Sequence, residues 1–133
     1  MRSAPDGADV RAGDRVAAFC ALGGFAEVAV APPFLTFPLS GELDFAQGAA
    51  LILNYHTAWF ALRLRGRLRE GETVLVHGAA GGVGTAALQV AKGLGARTVA
   101  VVSTAEKAEV ARSAGADEVV RSDGPWRDEA KEL

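Results

Sequence analysis

The sequence predicts an α/β fold with a parallel sheet, on the basis of three observations in its second half. Short apolar runs at Thr73–Val76, 98–102 and 118–121 have the composition of buried strands. Two stretches of helical periodicity separate these runs, and they end at Gly95 and Gly115, which are natural helix stops. Glycines cluster between the first strand and the first helix. Because crossovers between parallel strands are right-handed, the βαβαβ order predicts half of a doubly wound sheet.

The turn after the first of these strands carries the main functional signal. Gly78, Gly81, Gly82 and Gly84 lie within it, directly before a helix. Their spacing departs from the usual G-x-G-x-x-G, but the strand before and the helix after provide the same context. Glycine allows a pyrophosphate to reach backbone amides at a helix N-terminus. The turn therefore predicts a dinucleotide site, and the alternative is a tight turn without a ligand.

The first part of the chain predicts antiparallel β structure. Residues 15–19 and 25–30 are interpreted as short strands, each preceded by a turn. Pro32, Pro33 and Pro38 then interrupt the pattern. We therefore expect a domain boundary here, and we divide the chain into three parts: residues 1–38, 39–70 and 71–133.

Two helices are expected in the middle part. Asp44 and Gln47 have the spacing of a capping box, which predicts a helix start. The apolar run Ala46–Leu53 that follows is interpreted as a buried helix. A second helix is expected over Thr57–Leu68, with its aromatic residues in the core.

Composition and charge exclude several functional classes. The chain has 133 residues, of which 50% are hydrophobic, and a formal net charge of −2. Its 14 basic and 16 acidic residues are mixed, so neither nucleic acid nor an anionic membrane is expected as a partner. Cys20 is the sole cysteine, which excludes an internal disulfide and a multi-cysteine zinc site. Without a signal-like N-terminus or a span-length apolar run, we expect a cytoplasmic protein.

Four motifs follow one another over almost the whole chain: Gly13-Asp14-Arg15-Val16, Gly24-Phe25-Ala26-Glu27, Asn54-Tyr55-His56-Thr57-Ala58, and the segment Gly71-Glu72-Thr73-Val74-Leu75-Val76-His77-Gly78-Ala79-Ala80-Gly81-Gly82-Val83-Gly84. Together they resemble the quinone oxidoreductase branch of the medium-chain dehydrogenase/reductase superfamily. The resemblance implies that residues 1–38 are the C-terminal part of a GroES-like catalytic domain. It also implies that residues 39–70 are connecting helices, and that residues 71–133 are the N-terminal half of a Rossmann domain binding NADPH.

The resemblance also implies parts that these residues lack. Members of the family carry a longer N-terminal β domain and three further strands after the third one. The chain is therefore expected to be a fragment that is inactive alone, and the homodimer of the family is not expected of it. Zinc alcohol dehydrogenases of the superfamily insert a four-cysteine lobe where only Ala17 to Phe25 lies here. This favours the zinc-independent reductases and predicts no metal site.

The residues after the second strand bear on the choice of cofactor. NAD enzymes place an acidic residue there, about twenty residues past the glycines, whereas this chain has Ser103 and Thr104. Lys107 is similar to a family position that neutralises a 2′-phosphate, so NADPH is favoured over NADH. The alternative is that Ser103-x-x-Glu106 is a capping box and Lys107 a solvated residue. Ser122 departs from the tyrosine that some family members have.

The expected cofactor-binding residues come from three segments: Thr57; Gly78, Ala80, Gly81, Gly82, Val83 and Gly84; and Ser103, Thr104 and Lys107. Thr57 resembles a family threonine near the nicotinamide, with a helix-start role as its alternative. His77 is expected to hydrogen-bond loop backbone, with proton donation as the less favoured alternative. No catalytic residue is identified.

A complete enzyme of this kind is expected to transfer hydride from NADPH to a small-molecule electron acceptor, a quinone or an α,β-unsaturated carbonyl. Two alternatives stay open. One is a reductase of enoyl or crotonyl thioesters, which shares the glycine motif. The other is a non-catalytic NADPH-binding module, which the absence of the remaining family segments favours.

Overall fold

A computed structural model describes residues 1–4 and 9–133. The chain divides into two compact units, Met1–Leu53 and Asn54–Leu133, and each is described by itself. The finer division at residues 38 and 70 stays a prediction. Among the described residues, no helix is both long and apolar enough to cross a membrane.

The first unit contains a small antiparallel sheet. Strand β1 (Val16–Ala18) pairs with strand β2 (Thr36–Pro38), and a single 3-10 turn over Pro33–Leu35 leads into β2. Ala17 and Leu39 are buried in a small apolar cluster beside this sheet. The expected antiparallel β structure is therefore present, but only one of its two predicted strands is.

The prediction of a strand over residues 25–30 is wrong. These residues form bends and irregular backbone, and Phe25 and Val30 are fully exposed. The partner of β1 is β2, which lies further along the chain. A strand needs a ladder and a surface to bury its apolar face, and residues 25–30 have neither within the described chain.

Helix α1 (Phe45–Trp59) begins with the predicted capping box. The Asp44 amide donates to Gln47 Oε1 at 2.9 Å, and the Gln47 amide donates to Asp44 Oδ1 at 2.7 Å. The reciprocal pair satisfies two amides that the first turn would otherwise leave open. The capping box predicted from the sequence is therefore confirmed.

The prediction of two separate helices is wrong, because α1 runs through residues 54–57 without a break. A π-helical segment, Phe60–Arg65, continues it and closes where the Gly66 amide donates to the Ala61 oxygen at 2.7 Å. No glycine or proline interrupts the chain between these elements, and polar residues alone do not end a helix.

The expected burial of this region is also wrong. Within residues 46–53, which the structure describes in full, only Gly48 and Ile52 are buried. Trp59 and Phe60 are 46% and 55% exposed rather than core residues. The apolar residues of α1 spread around the helix, so one packed face cannot cover them all.

The second unit contains the predicted parallel sheet. Its strands are β3 (Thr73–His77), β4 (Arg97–Val102) and β5 (Glu118–Arg121), hydrogen-bonded in the order β3-β4-β5. The connecting helices are α2 (Gly82–Gly93) and α3 (Ala105–Ser113), and α4 (Trp126–Glu132) follows β5. The predicted fold class, half of a doubly wound sheet, is confirmed.

Apolar side chains cover both faces of this sheet. Leu88 of α2 and Ala111 of α3 are buried against Ala100 on one face. Val101 and Val120 form a cluster with Trp126 of α4 on the other. Burial on both faces explains why the strand sequences are continuous apolar runs rather than alternating ones.

A polar network joins the amino-terminal ends of β4 and β5. Asp117 Oδ2 accepts hydrogen bonds from the Thr98 amide and hydroxyl, both at 2.9 Å, and Lys92 Nζ donates to Asp117 Oδ1 at 2.9 Å. Thr98 is fully buried, so these bonds satisfy a polar group that would otherwise be costly. The hydrogen bonds from Lys92 and Thr98 lower the pKa of Asp117 from 3.8 to about 2.

This network predicts a loss of stability in acid. A carboxylate with a lowered pKa stabilises the fold above its unfolded pKa, and that contribution is lost as the pH falls through the folded pKa. We expect Asp117→Asn to lower the free energy of unfolding by about 1–2 kcal/mol at neutral pH, since the group is partly solvated. The deficit should shrink between pH 4 and pH 2, approximately, where wild type loses the same contribution.

Urea unfolding of both chains across this pH range measures the deficit. Glu132→Gln, at an exposed position in the last turn of α4, is the matched control. A deficit that stays constant down to pH 2, approximately, would show that the Asp117 charge is not its source.

Candidate functional site

The turn between β3 and α2 presents backbone amides to solvent. Gly78 has φ +61°, a conformation that favours glycine, and Gly81 is the N-cap of α2 without a side-chain cap. Gly82, Val83 and Gly84 are the first three residues of the helix, so their amides have no acceptor within it. Together with the helix dipole, these amides form an anion-binding end.

Close packing fixes where this helix end lies. A Cβ at Gly84 would stand 2.3 Å from the Gly78 oxygen and 2.7 Å from the Ala79 Cα. A Cβ at Gly82 would stand 2.8 Å from Asn54 Nδ2. Only glycine allows the first turn of α2 to approach the backbone of the preceding turn so closely.

A cleft of about 360 Å³ opens at the carboxyl ends of the three parallel strands. Ligands of doubly wound folds bind outside this edge of the sheet. The cleft is lined by residues of the glycine turn, of the ends of β3 and β4, and of the loop after β5. Five of the predicted cofactor residues line it: Gly78, Ala80, Gly81, Ser103 and Lys107.

Lys107 and Ser103 meet in this cleft. Lys107 Nζ donates to Ser103 Oγ at 2.9 Å. Thr104 is the N-cap of α3, and its hydroxyl accepts from the Lys107 amide at 3.3 Å. The alternative of a capping box from Ser103 is therefore wrong by one residue. Because Thr104 caps the helix, the Ser103 hydroxyl is available to the cleft beside the Lys107 ammonium.

The remaining predicted residues are not part of the lining of the cleft. Gly82, Val83 and Gly84 form the first turn of α2, and Thr104 supports α3 from its N-terminus. Thr57 lies inside α1, outside the lining of the cleft. The helix-start alternative for Thr57 is therefore wrong, and its contact with a cofactor stays a prediction.

His77 ends β3 at the cleft, and its ring packs against Trp126. The ring centroids are 4.7 Å apart and the planes make an angle of 87°. Within the described part of the chain, the imidazole makes this ring contact rather than the expected hydrogen bond to loop backbone. The approach of Trp126 to His77 depends on how α4 packs beside β3, so it could not be predicted from the local sequence.

Three residues that line the cleft are not among the residues selected from the sequence. Ser122, directly after β5, is a departure from the family pattern. Val101 and Val102 contribute through their place at the end of β4. Across residues 1–4 and 9–133, no group of three or more His, Cys, Asp and Glu side chains could hold a metal ion.

Known proteins that resemble this chain have the same architecture. A family described as zinc-binding dehydrogenase matches residues 82–133, a segment that contains neither cysteine nor histidine. The quinone oxidoreductase of Rattus norvegicus is 43% identical over 121 residues, which are 90% of this chain and 37% of that protein.

Solved structures of similar proteins have the same fold over the region that they share with this chain. A crystal structure from Mycobacterium abscessus, described as a probable oxidoreductase, gives a TM-score of 0.91 at 52% identity and covers 98% of this chain and 42% of its own. Escherichia coli quinone oxidoreductase, solved in complex with NADPH, gives 0.83 at 36% identity, with 93% and 39% covered. The predicted resemblance to the quinone oxidoreductase branch of the medium-chain dehydrogenase/reductase superfamily is confirmed.

The chain spans about 37% of the length of its rat relative. The described half-sheet is the part of this chain that carries the glycine turn.

Because Gly84 is packed closely against backbone, a larger side chain at this position should destabilise the fold more than one elsewhere in α2. We expect Gly84→Ala to cost about 3 kcal/mol of unfolding free energy, because the methyl group would meet rigid backbone rather than a flexible side chain. Gly93→Ala in the same helix is the matched control, since nothing lies within 4 Å of a Cβ there.

The control should change stability by less than about 1 kcal/mol, in the stabilising direction, because alanine favours helix. Thermal and urea unfolding measure both variants. Equal effects of the two substitutions would contradict the packing that we describe.

Proposed function

We propose that this chain is the cofactor-binding part of an NADPH-dependent oxidoreductase that transfers hydride to a small-molecule acceptor, a quinone or an α,β-unsaturated carbonyl. The observation that carries the proposal is the cleft at the carboxyl ends of β3, β4 and β5, where an uncapped helix N-terminus faces a lysine. The quinone oxidoreductase relatives, one of them solved with NADPH, support it.

The glycine turn fits the diphosphate of a dinucleotide. A Cβ at Gly78 would meet open space, so the cleft beside this residue has room for a ligand. The amides of Gly82 and Val83 would then donate to phosphate oxygens that the helix dipole already favours. NADPH, when bound, supplies the hydride, while the chain binds and orients it.

The end of β4 fits a 2′-phosphate better than a free ribose hydroxyl. The cleft is lined by no Asp or Glu among the described residues, whereas an acidic side chain is what usually holds that hydroxyl. Lys107 would supply a positive charge and Ser103 a hydroxyl donor to the same phosphate group. This pair is the basis for proposing NADPH rather than NADH.

The proposal includes a zinc-independent reaction in the cytoplasm. The segment between Val16 and Ala26 is short and contains the sole cysteine, Cys20, so no four-cysteine lobe fits there. A lone cysteine also suits a reducing compartment.

Lys107→Ala tests the cofactor assignment. We expect wild type to bind NADPH at least about tenfold more tightly than NADH, and the variant to lose most of that preference through weaker NADPH binding alone. Cofactor fluorescence titration of the full chain measures the four dissociation constants.

Lys131→Ala serves as the matched control, because Lys131 is exposed on α4 and pairs with Asp128 at 3.2 Å. It should leave both affinities unchanged. Equal affinity of wild type for the two cofactors would overturn the NADPH assignment, and failure to bind either would overturn the proposed function.

A further inference from the structure

Arg121 is the last residue of β5 and lies beside the cleft. It is paired in register with Val102, the last residue of β4, and the Ser122 amide donates to the Val102 oxygen at 2.8 Å. Val102 and Ser122 both line the cleft. Arg121 therefore stands at the rim of the cleft, one strand away from Ser103.

The side chain of Arg121 leaves the sheet on the face that α3 covers. Paired residues of a ladder share a face, and Val102 belongs to the cluster that packs against α3. The pKa of Glu106 is lowered by a hydrogen bond from the Thr104 hydroxyl, by its own amide and also by the charge of Arg121. The field of Arg121 thus reaches the turn of α3 that carries Lys107.

Asp123 holds the guanidinium of Arg121 in this structure. Arg121 Nε donates to Asp123 Oδ1 at 3.1 Å, and Nη2 donates to Oδ2 at 2.5 Å. The two side chains are 49% and 56% exposed, so the pair contributes about 0–1 kcal/mol and is easily exchanged.

We propose that Arg121 is a second specificity-determining cation, which exchanges the Asp123 carboxylate for the phosphate on the adenosine ribose when the cofactor binds. The inference rests on the proposed function and extends it. A guanidinium binds phosphate through two parallel N–H bonds, a geometry that Lys107 alone does not supply. Asp123 then acts as a competitor that occupies the same donors in the free protein.

Adenosine 2′,5′-bisphosphate and adenosine 5′-diphosphate are probes that separate this idea from general charge effects, because only the first carries the 2′-phosphate. We expect Arg121→Gln to weaken the binding of adenosine 2′,5′-bisphosphate about five- to tenfold and to leave the affinity for adenosine 5′-diphosphate unchanged. Asp123→Asn should increase the affinity for adenosine 2′,5′-bisphosphate about two- to fivefold, because it frees the guanidinium of Arg121. Calorimetric titration of the full chain measures each constant.

Two further variants complete the test. In Arg121→Gln/Asp123→Asn, the gain from Asp123→Asn should vanish, because it acts through Arg121. Arg112→Gln removes a comparable exposed arginine, which pairs with Glu109 at 2.5 Å on α3. It should leave the affinity for both probes unchanged.

The outcomes distinguish the two proposals. If Lys107→Ala weakens the 2′-phosphate probe while Arg121→Gln does not, the role of Arg121 is overturned and the proposed function stands. If the gain from Asp123→Asn persists without Arg121, the exchange is likewise overturned. If wild type binds neither probe, both proposals fall.

Discussion

The contact between Gly84 and the backbone of Gly78 and Ala79 is the constraint on which the site depends. It sets how closely α2 approaches the end of β3, because no Cβ could be accommodated there. That approach places the uncapped first turn of α2 over the carboxyl edge of the sheet. The direction of these amides, and hence any affinity for a diphosphate, follows from this packing.

Much of the second unit could be predicted from the sequence because its signals are local. Apolar runs, helical periodicity and the positive-φ stops at Gly95 and Gly115 each depend on a few neighbouring residues. The capping box of Asp44 and Gln47 is equally local. The glycine turn and Lys107 could be placed at one site because parallel strands bring their carboxyl ends to one edge.

The features that could not be predicted depend on contacts between residues far apart in the sequence. Residues 25–30 are rich in apolar residues, as a strand is, but β1 pairs with β2 instead. The polar residues near Asn54 look like a break, yet α1 continues through them. Asp117 gave no signal, although its bonds to Thr98 and Lys92 secure the edge of the sheet opposite the cleft. This polar network thus lies at one edge of the sheet, and the cleft lies at the other.

Backbone amide NMR of the isotope-labelled chain during titration with NADPH tests the central claim most directly. The account predicts that the amide resonances of Gly82 and Val83 shift most strongly, because donation to a phosphate oxygen changes the field at each proton. Saturable binding that leaves these two resonances in place, with shifts confined to other segments, would contradict it.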